Sequence, residues 1–342
     1  MTLSQLSINM NTFDFNFHPA GDICHTWTCK QQPTGAIGAK LYPGALVLVQ
    51  ALQDPTQWQD LCTPPATGLS WSQTRVLELG AGVTGLPTMA TAVLGASVIA
   101  TDVLPFKPQL SENLAANIPT VPGEQCGWPE PGSARPAPLC WGDADSEAAF
   151  FDKLDMPPHM IIAADVVYHE PLIPLLLGML RKLVARESWP RCSDEDWAAP
   201  TIILSYVQRF KRAKKFVKGA RKWFHVRQVT GPRVVDYDVL NSQPGSIGER
   251  IDLSSMDAHT ADAASWPARR AAAAAAAGMT AAGGAGRARA GSAASSDRSV
   301  DASDCEDDVL GACYGGSDGE DEVASLLPSL ATYYFVLRVK SS

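Results

Sequence analysis

Short runs of β-branched and apolar residues recur along the chain: RVLEL (75–79), SVIATD (97–102), APLCW (137–141), HMIIAAD (159–165) and TIILSY (201–206). Between them lie stretches with helical spacing, such as GLPTMATAVLG, KPQLSENLAANI and EPLIPLLLGMLRKLVARE. Near-continuous hydrophobic strands alternating with helices describe an α/β fold, a parallel sheet covered by helices on both faces. Two more strands are predicted, FHVRQVT (224–230) and TYYFVLRV (332–339). The last is apolar and terminal, so it is placed in the same sheet although a long interruption precedes it.

Charge explains the interruption. Residues 251–325 hold thirteen Asp and Glu against five Arg, which accounts for the whole formal charge of −8. The segment is rich in Ala, Gly and Ser and low in large apolar residues, so it cannot bury enough surface to offset its ordering entropy and is expected to be disordered. The expected organisation is therefore an N-terminal extension over 1–34, a domain formed by 35–250 with 326–342, and an acidic insertion at 251–325. The eight cysteines show no CxxC pair, which suits reduced thiols, and the grouping of His18, Cys24, His25 and Cys29 matches no standard zinc spacing. No apolar run reaches eighteen residues and the N-terminus has no signal-peptide pattern, so the expected compartment is the cytosol, with the nucleus as a second.

Candidate chemistry begins at VLELGAGVTGLP (76–87). Gly80, Gly82 and Gly85 fall between a strand and a helix, where glycine lets the chain turn tightly and lets a ligand approach the main-chain amides. Asp102 ends the next strand, where a carboxylate can accept both hydroxyl protons of a ribose. This much indicates a nucleoside and leaves its identity open, since dinucleotide-binding folds share the pattern. Glu78, two residues before the first glycine, disfavours a pyrophosphate and favours a cationic ligand.

ELGAG resembles the first motif of the S-adenosylmethionine-dependent methyltransferases of the seven-strand class. IIAADVVYHEPL (161–172) resembles the Asp-x-x-Tyr motif of the methyltransferase-like protein lysine methyltransferases, the group that modifies chaperones and translation elongation factors. GAKLYPGALVLVQAL, SVIATD, LCWGDAD, TIILSYVQRF and YYFVLRV follow that family's order. The resemblance implies a Rossmann-like seven-stranded sheet, mostly parallel with an antiparallel last strand, and S-adenosylmethionine as cofactor. It implies that Gly80, Ala81 and Gly82 pack on the methionine and ribose, that Asp102 holds the ribose hydroxyls, that Trp141 contacts the adenine, and that Ala164 passes the methionine end. Where relatives carry a Trp-Pro pair in the N-terminal lid this chain has Leu41-Tyr42-Pro43, so Tyr42 takes the covering position. No metal is implied.

Asp165 and Tyr168 are the expected catalytic pair. A lysine amine attacks only when neutral, and its ordinary pKa is about 10.4. Asp165 is assigned to drawing in and orienting the ammonium, Tyr168 to lining the lysine channel, and proton loss to water. The run QRFKRAKKFVKGARKWF (208–224) carries eight Lys and Arg; a solvated helix face, an acidic-protein dock and a nucleic-acid dock are its three readings, with Arg209 beside the substrate. The expected function is methylation of a lysine in a non-histone protein, a chaperone or translation factor, by a monomer without membrane or nucleic-acid partners. A methyltransferase for a nucleic-acid base or small amine, a cofactor-binding module without turnover, and a dehydrogenase are the alternatives.

Overall fold

The protein is described here by a computed structural model, which covers residues 6–8, 11–19, 23–32, 37–53, 69–120, 127–154, 156–207, 212–230, 234–235, 329–330 and 332–340. The chain divides into two compact units, Met1–Glu249 with Leu327–Ser342, and Arg250–Leu326. The second, with the whole of the acidic insertion expected at 251–325, lies outside the described residues. Everything below concerns the first.

Three short strands come first, Leu6–Ile8 (β1), Thr12–Phe17 (β2) and His25–Lys30 (β3), paired antiparallel in the order β1-β2-β3. Period-two alternation buries Phe13, Phe15 and Phe17 of β2 together with Trp27 and Cys29 of β3. Phe15 and Phe17 both stack on Trp27, with ring centroids 6.0 and 4.9 Å apart. The stretch expected as an extension thus carries a sheet whose apolar face joins the main core.

Next comes the helix Pro43–Gln53 (α1), in which Pro43 to Val49, Ala51 and Leu52 are all buried. A helix apolar all round must be enclosed. It lies against the main sheet, where the Tyr334 hydroxyl donates to the Val47 carbonyl at 3.0 Å.

The main sheet takes strands Arg75–Leu79 (β4), Ser97–Asp102 (β5), Ser133–Pro138 (β6), Met160–Ala164 (β7), Thr201–Val207 (β8), Phe224–Thr230 (β9) and, after a two-strand ribbon of Val234–Val235 (β10) and Ser329–Leu330 (β11), Thr332–Val339 (β12). Its order is β6-β5-β4-β7-β8-β12-β9. Strand β12 runs antiparallel to both neighbours, and the pairs from β6 through β8 are parallel. Helices Leu86–Val93 (α2), Lys107–Asn117 (α3), Ala144–Phe151 (α4), Leu172–Val184 (α5) and Arg212–Ala220 (α6) connect the strands. Alternation sends Val76, Val98, Ile162 and Val336 to the face covered by α1, α2 and α3. Leu77, Ile99, Ile161 and Phe335 go to the other, with α5, α6 and Trp189. This is the Rossmann-like methyltransferase fold with its antiparallel seventh strand. No helix among the described residues is long and apolar enough to cross a membrane.

One strand is displaced from expectation. APLCW leads to a strand over 137–141, whereas β6 runs from Ser133 to Pro138. Prolines make SARPAP a poor strand in a sheet interior, but β6 is an edge strand of this sheet, ladder-paired with β5. Ala134 N–H donates to the Pro119 carbonyl at 3.1 Å on the outer side, and the N–H groups that Pro136 and Pro138 lack would fall on that same side, away from β5. Cys140 and Trp141 are thereby released from the sheet into the turn before α4.

Candidate active site

The order of strands reverses on either side of β4: β5 follows it outward one way and β7 the other. In open α/β sheets ligands bind beyond the carboxyl ends of the strands at such a switch point. Leu79, Asp102 and Ala164 end β4, β5 and β7 there, so Gly80, Asp102 and Asp165, all singled out by sequence, come together at one crevice.

The glycine turn is pinned from two sides. Ala81 N–H donates to the Thr101 carbonyl at 3.0 Å, and Val83 N–H donates to the Gly38 carbonyl at 2.8 Å. Gly82 has φ +62°, and a Cβ there would meet the Gly38 oxygen at 2.6 Å, so both conformation and space demand glycine. The loop through Gly38 therefore closes directly on the turn. From the other side, buried Asn113 of α3 donates to the carbonyls of Val83 (2.7 Å) and Lys30 (2.9 Å) and accepts from Lys30 N–H. Four residues on, Asn117 holds Thr28 in the same two-way fashion. Four helical residues advance about 6 Å and two strand residues about 6.8 Å, so the spacings match and α3 covers the edge of β3.

Glu78 is 1 % exposed and lies under the turn. Its carboxylate accepts from the Thr88 N–H at 2.9 Å and from the Thr88 hydroxyl, which satisfies an orphan donor in the first turn of α2. Burial pushes its pKa up to about 7, against the opposing effect of the Thr88 bonds and with a further push from the charge of Asp102. Glu78 therefore holds the helix that follows the turn; its attraction for a cationic ligand, expected from sequence, is weakened by this engagement.

Asp102 is partly buried, and its oxygens accept from Gly82 N–H and Val103 N–H, both at 2.7 Å. Burial raises its pKa to about 6, with the two N–H bonds pulling the other way. Each oxygen accepts one main-chain N–H and retains lone-pair capacity for a hydroxyl. Tyr168 shares the crevice: burial, then the negative charge of Asp102, pushes its hydroxyl up to about 12.

Trp141 stands over the turn. Its six-membered ring lies 3.6 Å from where a Cβ on Gly80 would be. The residues on either side are anchored to α4: Cys140 N–H donates to the Ser146 hydroxyl at 2.9 Å and Gly142 N–H to the Glu147 carboxylate at 2.7 Å. Asp143 caps the same helix through Ser146 N–H.

Asp165 is the one non-glycine residue with positive φ (+53°) among the described residues. Asp tolerates this region because its short polar side chain bonds locally. Its carboxylate accepts from Gly44 N–H at 2.7 Å and Val207 N–H at 3.0 Å, and its own N–H donates to the Ser205 carbonyl. Ser205 Oγ donates to the Gly44 carbonyl at 2.7 Å, closing a ring between α1, β7 and β8. A Cβ on Gly44 would come within 2.5 Å of the Asp165 carboxyl carbon. Gly38, Gly44 and Ser205 were missed by the reading from sequence; a glycine in the first turn of a helix, directly after Pro43, is the signal that marks Gly44.

Tyr42 is half-buried at the start of α1, its carbonyl accepting from Ala45 N–H at 3.0 Å and its ring 5.5 Å from the Lys40 ammonium. Ala164 pairs in register with Ser205. Arg209 lies outside the described residues. Among the described residues no group of three or more His, Cys, Asp or Glu is placed to hold a metal. Cys29 instead faces Met89 Sδ at 3.9 Å, its thiol pushed up to about 12 by burial and then by Asp14.

A glycine turn, a carboxylate presented at the next strand end and an aromatic plane over the turn make up a candidate nucleoside-cofactor site on a Rossmann-like sheet. Residues 25–223 match the family model described as lysine methyltransferase, and the chain belongs to that family. Among similar proteins, protein N-lysine methyltransferase METTL21A of Danio rerio is 32 % identical over 159 residues, 45 % of this chain and 59 % of the relative. EEF1A lysine methyltransferase 3 of Mus musculus is 38 % identical over 109 residues, 32 % of this chain and 40 % of the relative. Protein-lysine methyltransferase METTL21E of Bos taurus is 27 % identical over 205 residues, 58 % and 57 % of the two chains. The chain thus spans less than two thirds of the length of each of these relatives.

Proposed function

We propose that the protein transfers a methyl group from S-adenosylmethionine to a lysine side chain of another protein. The observation that carries this reading is the meeting of the Gly80–Gly82 turn, Asp102, Asp165 and Tyr168 at one switch point, in a chain of the lysine methyltransferase family. The residues suit the cofactor chemically. Asp102 offers fixed acceptors to ribose hydroxyls, Trp141 a plane for the purine, and the main chain of Gly80, Ala81 and Gly82, with Ala164, a close-packed wall; Tyr42 covers the mouth. When bound, S-adenosylmethionine supplies an electrophilic methyl carbon beside a cationic sulfur.

The chain's own work is then positional. Asp165, fixed by two main-chain N–H groups, is a preorganised carboxylate whose charge orients an incoming ammonium. Tyr168 walls the amine's path, and the proton leaves to water. Holding the amine in line is the main source of acceleration, since well-aligned reactants gain about 7 to 11 kcal/mol from orientation. A translation factor is the substrate class suggested by the name of the mouse relative. The cytosol is the setting this implies.

The test is transfer. Incubating the purified protein with methyl-labelled S-adenosylmethionine and a cell extract, then hydrolysing the labelled product, is expected to yield methyllysine. Label recovered in nucleic acid or in small amines would overturn the reading in favour of another acceptor.

A further inference from the structure

Helix α6 is sharply two-sided. Phe216 and Ala220, four residues apart, are fully buried, while Lys214, Lys215, Lys218, Arg221 and Lys222 are exposed. From Trp197 to Val235 the sequence contains ten Lys and Arg and no Asp or Glu, in a chain whose net charge is −8. Arg181, in the last turn of α5, extends the stripe: its guanidinium lies 3.5 Å from the ring centroid of Trp223, which is 46 % exposed. Among the described residues no carboxylate pairs with Lys214, Lys218, Arg221 or Lys222.

One end of the stripe is tied to the segment of chain that leaves the crevice. Lys215 pairs with Glu170, two residues beyond Tyr168, and the two side chains border a shallow, open depression that Pro171, Ile173 and Pro174 also line. From Lys215 to Lys222 a helical rise covers about 10 Å, the span of about three residues of extended peptide.

We propose that this face docks an acidic segment of the substrate protein lying a few residues from the target lysine. Carboxylates of the segment sit on Lys214, Lys218, Arg221 and Lys222, and one exchanges with Glu170 at Lys215. This rests on the lysine-transfer reading. A protein is favoured over nucleic acid on two counts. Glu170 interrupts the stripe with a charge that repels phosphate, and Arg181 occupies a face of Trp223 that a base would otherwise stack upon. Exposed ion pairs are individually weak and screened by salt, so the dock is weak and salt-sensitive.

The probe is a fluorescent peptide of one lysine followed by six glutamates, titrated into the full chain by anisotropy, with a six-glutamine peptide and a single-stranded thymidine oligonucleotide alongside. The glutamate peptide is expected to bind at low salt, to weaken at least tenfold on raising the salt, and to bind the Lys214→Glu/Lys218→Glu/Lys222→Glu variant at least tenfold more weakly. The melting temperature of the variant should stay within a few degrees of the parent's. Equal binding by parent and variant would overturn the dock, and so would an oligonucleotide that binds the parent more tightly and displaces the peptide. Heat of S-adenosylmethionine binding, measured on the same samples, keeps the two readings apart. Its absence from the parent would sink the transfer reading, whereas its presence beside an unselective peptide titration would sink only the dock.

Discussion

Asp165 shows how much one side chain in this site is asked to do. Its oxygens meet two N–H groups, at the start of α1 and the end of β8, in a backbone conformation unusual for a residue with a side chain. Asparagine would serve one N–H with its oxygen and turn an NH₂ group toward the other. Leaving such a donor unpaired costs about 1 to 3 kcal/mol. The Asp165→Asn variant is therefore expected to melt several degrees below the parent, and a loss of transfer in it would report misplacement of α1 as well as loss of charge. An unchanged melting temperature with transfer abolished would show that the carboxylate acts on substrate alone. Glu78 gives a second measurement at this scale. Its folded pKa of about 7 lies above the ordinary 4.5, so folding favours the protonated form. Its contribution is fully present below pH 4.5 and is lost as pH rises through 7. Glu78→Gln keeps an acceptor for Thr88 N–H and removes the titration, so its melting temperature should gain on the parent's across that window. Parallel profiles would contradict the burial of an ionisable group there.

Among the elements, those with apolar or alternating β-branched runs were legible from sequence to within a residue or two: β4, β5, β7, β8, β9 and β12 all lie where the patterns put them. Strand β6 was not, because its prolines disguise an edge strand in which the missing N–H groups fall on the side away from β5. The strands before residue 34 were read as an extension, since six-residue alternation such as TFDFNF acquires meaning only when a core and the asparagines of α3 are there to receive it. The site divides in the same way. Gly80, Gly82 and Asp102 could be named because they follow strands in a fixed order, whereas Gly38, Gly44 and Ser205 act through contacts made across the fold by residues far apart in sequence. The turn holding Trp141 depends on α4 in the same non-local way. Replacing Ser146 and Glu147 together by alanine removes both anchors of the flanking amides without touching the crevice. Affinity for S-adenosylmethionine is expected to fall about tenfold, roughly 1.4 kcal/mol, as measured by calorimetry. An unchanged affinity would separate Trp141 from the cofactor.

Across the whole molecule, the crevice exists only because elements distant in sequence converge. The loop through Gly38 closes on the turn, β5 presents Asp102 and β7 presents Asp165 to α1. β12 enters the sheet between β8 and β9, burying Tyr334, Phe335, Val336 and Leu337 against both faces. With its strand order and antiparallel β12, the sheet is that of a methyltransferase, and the glycine turn alone would not distinguish an S-adenosylmethionine site from a dinucleotide site. Calorimetric titration of the purified full chain with S-adenosylmethionine and, separately, with NAD makes that distinction directly. S-adenosylmethionine should bind one to one, and Asp102→Ala should weaken it by about 1.5 to 3 kcal/mol for each charge-assisted bond lost, while NAD gives no heat. Binding of NAD without binding of S-adenosylmethionine, or an Asp102→Ala variant that binds S-adenosylmethionine as the parent does, would contradict the account.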